Sequence, residues 1–170
     1  MTLTDTMFAG SASKQGNRAA QVFATSFGWA HAHPLRHRDE AHETLSLLFH
    51  RDDVPPVMVF DDSKEQHLTE FKRKLHEADC HQRTIKPYMP WQQAAEGCIR
   101  ELKRGVSRQM LPTGLSKALL DHCLVLQAAM RSCTSNNIYM TNGQVPKTIM
   151  TGSTIDISHI ALVQLGYVLG

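Results

Sequence analysis

The first part of the chain carries short apolar runs separated by polar turns. Residues 2–9 (TLTDTMFA), 19–27 (AAQVFATSF) and 29–36 (WAHAHPLR) are rich in strand-forming residues, and the third run alternates apolar and polar residues with period two. The polar, glycine-containing segment 11–17 separates the first two runs. The pattern predicts three antiparallel strands joined by tight turns.

The apolar spacing then changes to that of helices alternating with strands. Ala41, Leu45, Leu48 and Phe49 follow the i, i+4, i+7, i+8 pattern of an amphipathic helix, with acidic residues in its first turn. The continuous apolar run at 54–60 (VPPVMVF) is typical of a parallel strand that is buried on both faces.

Four more elements are predicted downstream. They are a helix marked by Leu68, Phe71, Leu75 and Ala78, a strand at 82–87 ended by Pro87, a helix from Trp91 to Met110 ended by Pro112 and Gly114, and a helix with Leu119, Cys123, Leu126 and Met130 on one side. Thr113 or Ser116 is expected to cap the last helix, and periodicity fades from Ser135 onward. The order β-β-β-α-β-α-β-α-α predicts an α/β fold, a mixed sheet with helices on both faces.

Composition places the chain among ordinary globular proteins. Its 170 residues, 42% of them hydrophobic and 20% charged, fit one domain with a proper core. No apolar run approaches the roughly 20 residues of a membrane span, and no secretory signal begins the chain. The four cysteines form no CxxC pair, so we expect buried thiols in a nuclear or cytoplasmic protein. The net charge of +2 is too small to indicate nucleic-acid binding by itself.

Three carboxylates suggest chemistry. Asp5 lies in the first predicted strand, Asp61 directly follows the apolar strand ending at residue 60, and Glu96 lies on the predicted long helix. Two Asp at strand ends and one Glu on a helix can together hold two hard divalent cations, Mg²⁺ or Mn²⁺. Any one of them alone is more simply a turn or surface carboxylate. Asp62 competes with Asp61, and the position directly after the strand favours Asp61.

The long helix is predicted to have two different sides. Ala95, Cys98, Ile99, Leu102 and Val106 share an apolar side, and Glu96, Arg100, Lys103, Arg104 and Arg108 lie on the other. A row of cations beside a metal-binding Glu suits a DNA phosphate backbone. A solvated face with salt bridges to Glu101 or Asp121 explains the residues equally well.

Other residue types carry weaker signals. His31 and His33 fall on one predicted strand face, but no cysteine or carboxylate spacing completes a zinc pattern, so scattered surface histidines are the preferred interpretation. Trp29 and Trp91 are expected to be packing residues, with contact to a DNA base as the alternative for Trp91.

The order of elements, together with these carboxylates, resembles the ribonuclease H-like catalytic core of retroviral-type integrases. VMVFDDSKE (57–65) is similar to the family's Asp-Asn-Gly-x-Glu turn, and PYMPWQQAAE (87–96) to its Pro-x-x-Asn-x-x-x-Glu helix. VPKTIMTGSTIDISHI (145–160) is similar to a stretch of copia-type retrotransposon integrases. The resemblance covers residues 3–160. It departs from the family in the missing turn glycine, in Gln93 for asparagine, and in a Pro-to-Glu spacing that is one residue shorter.

The resemblance implies a five-stranded mixed sheet in which residues 1–135 form the catalytic core and residues 136–170 a truncated C-terminal extension. It implies DNA 3′-end processing and strand transfer as the activity, and element ends and target DNA as partners of a homo-oligomer. The implied metal ligands are Asp5, Asp61 and Glu96, and the implied DNA contacts are Arg100, Lys103, Arg104 and Arg108. Two alternatives stay open: a decayed relic that binds nucleic acid or self-associates without turnover, and a nuclease of the same fold that cleaves RNA–DNA hybrids.

Overall fold

The computed structural model describes residues 1–60, 68–84, 90–135 and 141–153, without the side chains of residue 68 and residues 90–95. The first half of the chain forms β1 (Thr2–Phe8), β2 (Ala19–Thr25), β3 (Ala30–Leu35), a 3₁₀ turn (Arg38–Glu40), α1 (Ala41–Asp52), β4 (Val57–Phe60) and α2 (Leu68–Glu77). The second half forms β5 (His81–Thr84), α3 (Pro90–Thr113), a 3₁₀ turn (Lys117–Leu119), α4 (Leu120–Ser132) and α5 (Pro146–Thr151).

The five strands form one mixed sheet in the order β3-β2-β1-β4-β5. The first three strands pair antiparallel, whereas β1 with β4 and β4 with β5 pair parallel. The predicted α/β class, the mixed sheet and the order of its elements are therefore confirmed. Within the described residues, β1 and β4 share two register pairs, Thr2 with Met58 and Leu3 with Val59.

Helices cover both faces of the sheet, so successive side chains along a strand pack alternately in two separate hydrophobic cores. The face under α3 and α4 buries Leu3, Val22, Val59, Ile99, Leu102, Val106 and Leu124. The face under α1 and α2 buries Phe23, Trp29, Leu45, Leu48, Met58, Phe60, Phe71 and Leu75. Trp29 is thus a packing residue, as predicted.

Two predictions about helix ends need correction. Pro112 does not end α3, which continues to Thr113; the proline lies in the last turn, where few backbone bonds remain to be broken. Neither Thr113 nor Ser116 caps α4, whose N-cap residue is Leu119 without a side-chain hydrogen bond; Ser116 instead caps the 3₁₀ turn before it, because its Oγ accepts the N–H of Ala118 at 3.2 Å. The helix α5 was not predicted, although Pro146 at its start and Gly152 just beyond its end, with φ 69°, are recognised helix boundary signals.

In the part of the chain that the structure describes, no helix is long and apolar enough to cross a membrane. The thiols of Cys80, Cys98 and Cys123 are buried and that of Cys133 is partly buried, and none of the four takes part in a disulfide.

A candidate carboxylate site on the central strand

Asp5 lies on β1, the strand at which the sheet changes direction. In the sheet, β2 and β3 lie on one side of β1, and β4 and β5 lie on the other. Open sheets bind ligands at such a switch point, beyond the carboxyl ends of their parallel strands. Asp5 is two residues from both Leu3 and Met7, which pack in the core under α3, so its side chain shares their face of the sheet.

The Asp5 carboxylate is partly buried and held by its own backbone. Its Oδ1 accepts the N–H of Thr6 at 2.8 Å. The parallel pairing with β4 is described as far as Leu3, two residues before Asp5. The short side chain of Asp5 thus satisfies an N–H of its own strand while remaining partly accessible.

A polar network braces β1 on the opposite face of the sheet. The hydroxyl of Thr6 donates to Gln21 Oε1 at 2.9 Å, and the amide of Gln21 donates to the hydroxyl of Thr4. Gln21 and Thr4 are both buried. Satisfied buried polar networks restrict the conformations of the strands that they join. This network, which sequence reasoning did not identify, therefore fixes the backbone on both sides of Asp5.

The second described carboxylate, Glu96, lies on α3. Cys98, Ile99, Leu102 and Val106 are buried against the sheet, as their spacing predicted, whereas Glu96 is exposed. Since α3 begins at Pro90, Glu96 lies in its second turn. The apolar side of α3 therefore holds the helix on the same side of the sheet as Asp5.

The four predicted DNA-contacting cations are exposed along α3: Arg100, Lys103, Arg104 and Arg108. Arg104 forms an ion pair with Glu101, with 2.6 Å between Nη1 and Oε1. Lys103 lines a cleft of about 250 Å³ together with residues 7–10, which extend from the end of β1. One member of the row thus pairs within the helix, and another lies beside the strand that carries Asp5.

Asp121 is not a salt-bridge partner of this row. It anchors the loop between β1 and β2 to the start of α4, because its Oδ2 accepts from Asn17 Nδ2 at 2.9 Å. Burial opposes its ionisation, but hydrogen bonds from Ser13, Asn17 and the N–H of His122 outweigh burial and keep the pKa of Asp121 below its ordinary value.

Asp61, the third predicted ligand, lies outside the described residues, as does the alternative Asp62. Among the residues with described positions, no three His, Cys, Asp or Glu side chains are grouped to hold a metal ion. Asp5 and Glu96 supply carboxylate oxygens, which are the ligands that Mg²⁺ and Mn²⁺ prefer. A complete site would need a further carboxylate.

The histidines of β3 are not scattered over the surface, contrary to the sequence-based expectation. His31 is buried, and its ring centroid lies 4.3 Å from that of the partly buried His33. His31 Nδ1 lies 3.3 Å from Asp52 Oδ2, and its Nε2 lies 3.2 Å from Arg51 Nη1. Burial, with the neighbouring His31 and Arg51, lowers the pKa of His33 to about 4. The pair therefore belongs to a contact between β3 and the end of α1.

Comparison with known proteins gives the fold a precedent. No protein-family model and no curated protein matches the sequence. Among solved structures, the chain is similar to the catalytic core domain of BIV integrase, with a TM-score of 0.67 and 15% identity over 88% of this chain and 91% of that chain. It is also similar to the HTLV-2 integrase catalytic core domain in complex with magnesium, in a trimeric form, with a TM-score of 0.62 and 12% identity over 88% of this chain and 94% of that chain. At these identities the likeness is one of fold, and the chain has the ribonuclease H-like fold of retroviral integrase catalytic cores.

Proposed function

We propose that this chain is the catalytic core of a DDE-type integrase from a copia-type retrotransposon. In this proposal it trims DNA 3′ ends and joins them to target DNA, with Asp5, Asp61 and Glu96 holding two Mg²⁺ ions. The observation that carries the proposal is the position of Asp5: it lies on the central strand of the sheet, on the side covered by the helix that bears Glu96. The two integrase cores of similar fold support it.

The register between β1 and β4 supports the inclusion of Asp61. Leu3 pairs with Val59, and Asp5 and Asp61 each come two residues later in their segments. Continuing that parallel register would bring the two carboxylates side by side, on the same face by strand alternation. Asp62 would then be directed to the opposite face.

Each group has a role that its chemistry suits. Bound divalent ions would activate the attacking hydroxyl and stabilise the departing oxygen. The three carboxylates would hold the ions in place, and the N–H of Thr6 would orient one oxygen of Asp5. The exposed cations of α3 would position the DNA backbone, and Lys103 lines a cleft with residues 7–10 at the end of the strand of Asp5. DNA binding by a homo-oligomer, in the nucleus or the cytoplasm, belongs to the same proposal.

The test is a cleavage and joining assay on labelled duplex ends in Mn²⁺. The parent chain is compared with Asp5→Asn, Asp61→Asn and Glu96→Gln. Asp79→Asn is the matched control, because Asp79 is an exposed carboxylate whose φ of 54° suits asparagine. We expect activity in the parent and the control and none in the three site variants. Activity that survives in Asp5→Asn, Asp61→Asn and Glu96→Gln would refute the proposed site.

A metal-binding measurement separates the site from the reaction. A ligand that binds only the folded state stabilises it by about 2.7 kcal/mol at a concentration of 100 Kd. Mn²⁺ should therefore raise the melting temperature of the parent and of Asp79→Asn, but not that of Asp61→Asn. Equal shifts in all three proteins would show that the ion binds elsewhere.

The decayed relic is the second candidate, favoured by the ion pair that occupies Arg104 and by Asp62 and Ser63 where the family has a turn glycine. A relic would bind DNA without cleaving it, and Asp61→Asn would leave that binding unchanged. Mn²⁺ would then fail to stabilise the folded parent chain. The same experiments therefore decide between the two candidates.

A further inference from the structure

The central strand carries polar side chains on a face where apolar ones are usual. Thr2, Thr4 and Thr6 alternate along β1 and therefore share the face opposite Asp5. Thr2 and Thr4 are only 1% and 5% exposed. Phe23, which pairs with Thr4, belongs to the apolar core on that face. Burying a hydroxyl costs stability unless it is hydrogen-bonded, and such departures from the usual pattern are expected at functional or strained sites.

Gln21 of β2 joins the two threonines that flank Asp5. It pairs with Thr6 in the register of the two strands, and its Oε1 accepts the hydroxyl of Thr6 at 2.9 Å. Its Nε2 donates to the hydroxyl of Thr4, the diagonal neighbour that a long side chain can reach. Gln21 is itself buried. One buried amide therefore holds the residues directly before and directly after Asp5.

Thr6 connects this network to the carboxylate. Its N–H donates to Asp5 Oδ1 at 2.8 Å, while its hydroxyl donates to Gln21. On the face of Asp5 itself, the cross-strand neighbour is Val22, whose side chain is apolar and fully buried. A metal-binding carboxylate must be held within about 0.5 Å of its productive position. Because Val22 offers its side chain no hydrogen bond, the orientation of Asp5 depends on where the N–H of Thr6 lies.

We propose that Gln21 is a positioning residue, which through Thr4 and Thr6 fixes the Asp5 carboxylate in the orientation that binds a divalent ion. Gln21 lies on the opposite face of the sheet, so it acts through Asp5 and does not contact the ion. The ion rests on the proposed function, whereas the orientation of Asp5 is a property of the folded chain and requires no catalysis. Polar groups that support metal ligands typically contribute about 10- to 100-fold to metal affinity.

A fully apolar replacement separates this role from a purely structural one. Thr4→Val, Thr6→Val and Gln21→Leu together remove every polar side-chain group of the network, and apolar replacement of all hydrogen-bonding partners is nearly neutral or stabilising. We expect this triple variant to unfold at a urea concentration no lower than that of the parent. We also expect it to bind Mn²⁺ about tenfold more weakly in isothermal titration calorimetry. A network that only stabilises the fold predicts equal Mn²⁺ affinity.

Thr25→Val is the matched control. Thr25 is a buried threonine of β2 whose hydroxyl accepts the N–H of Trp29 at 3.1 Å, so its loss removes a buried hydrogen bond that does not involve the neighbours of Asp5. It should lower stability and leave Mn²⁺ affinity unchanged. The double variant Thr4→Ser with Thr6→Ser keeps both hydroxyls and should bind Mn²⁺ like the parent. If the triple variant does not fold, Thr6→Val alone should weaken Mn²⁺ binding in the same direction.

Equal Mn²⁺ affinity in the parent and the triple variant would overturn the inference and leave the proposed function standing. A parent that binds no Mn²⁺ would instead contradict the proposed function, and hydrogen exchange at the Thr6 amide then decides the inference. Exchange there should be about fivefold faster in the triple variant, the factor that one typical hydrogen bond contributes, and unchanged in Thr25→Val. Unchanged exchange at Thr6 in the triple variant would overturn the inference in that case too.

Discussion

Ser132 forms hydrogen bonds with the backbone of the edge strand β3, and removing its hydroxyl should lower the free energy of unfolding. The strand β3 is an edge strand, so its outer backbone groups have no neighbouring strand in the described structure. The Oγ of Ser132, in the last turn of α4, accepts the N–H of Ala30 at 2.9 Å and donates to the carbonyl of Ala30 at 2.6 Å. Ser132 is 4% exposed. One hydroxyl therefore satisfies both backbone groups of a buried residue.

The expected loss for Ser132→Ala follows from these two bonds. Leaving a buried polar group unpaired costs about 1–3 kcal/mol, and a typical hydrogen bond contributes a net of about 1 kcal/mol. Ser132 and Ala30 line a cleft of about 450 Å³, from which water can reach the vacated position. Because both the N–H and the carbonyl of Ala30 lose their partner, the range is about 2–6 kcal/mol, and we expect a loss near its lower end, about 2 kcal/mol in the free energy of unfolding. For a chain of this size, that lowers the melting temperature by about 4–8 °C.

Urea denaturation of the parent, Ser132→Ala and Ser132→Thr measures this effect, since threonine keeps the hydroxyl. Hydrogen exchange at the Ala30 amide locates it, and exchange should accelerate in the alanine variant alone. A loss below about 0.5 kcal/mol with unchanged exchange at Ala30 would refute the reasoning, because a substitution without a specific contact has effects of that size.

Two other predictions concern α3 and the histidine pair. Leu102 is 1% exposed, and Leu102→Ala should lower the free energy of unfolding by about 2–5 kcal/mol. Leu111 on the same helix is 81% exposed, and Leu111→Ala should change that free energy by no more than about 0.5 kcal/mol. Equal losses for the two variants in urea denaturation would contradict the packing of α3. Since the folded-state pKa of His33, about 4, lies below its ordinary value of 6.5, the unfolded chain binds the extra proton between these pH values. Stability should therefore fall as pH drops through that window, by at most about 1.4 kcal/mol per pH unit, and His33→Gln should flatten the profile; parallel profiles would exclude this role.

The fold was predictable where local patterns decide it. Strand-forming residues marked the first strands, with period-two alternation in the third, and helical spacing marked Leu45 and Leu48 in α1 and the buried side of α3. The unpredicted features depend on distant partners. Nothing near His31 in sequence indicates that Arg51 and Asp52 at the end of α1 will contact it.

In the candidate site, too, the features set by local sequence pattern were predictable and those that depend on distant partners were not. The sequence indicated the position of Asp5 on its strand and the exposure of Glu96 on its helix, because both depend on local periodicity. The network of Thr4 and Thr6 with Gln21 could not be foreseen, since it requires the register of two strands. The same holds for Lys103, whose proximity to the end of β1 depends on how α3 crosses the sheet.

The parallel pairing of β1 with β4 forms a seam between two unequal parts of the sheet, β1 to β3 on one side and β4 with β5 on the other. Asp5 belongs to the larger part. In the sequence, Asp61 directly follows Phe60, the last residue of β4, which belongs to the smaller part. The helix α3 packs across this seam, because Ile99 and Leu102 lie in one core with Leu3 from one part and Val59 from the other. The spacing across the seam therefore depends on apolar packing as well as on the backbone pairing. Small changes under α3 would loosen the spacing across the seam before they unfold the protein.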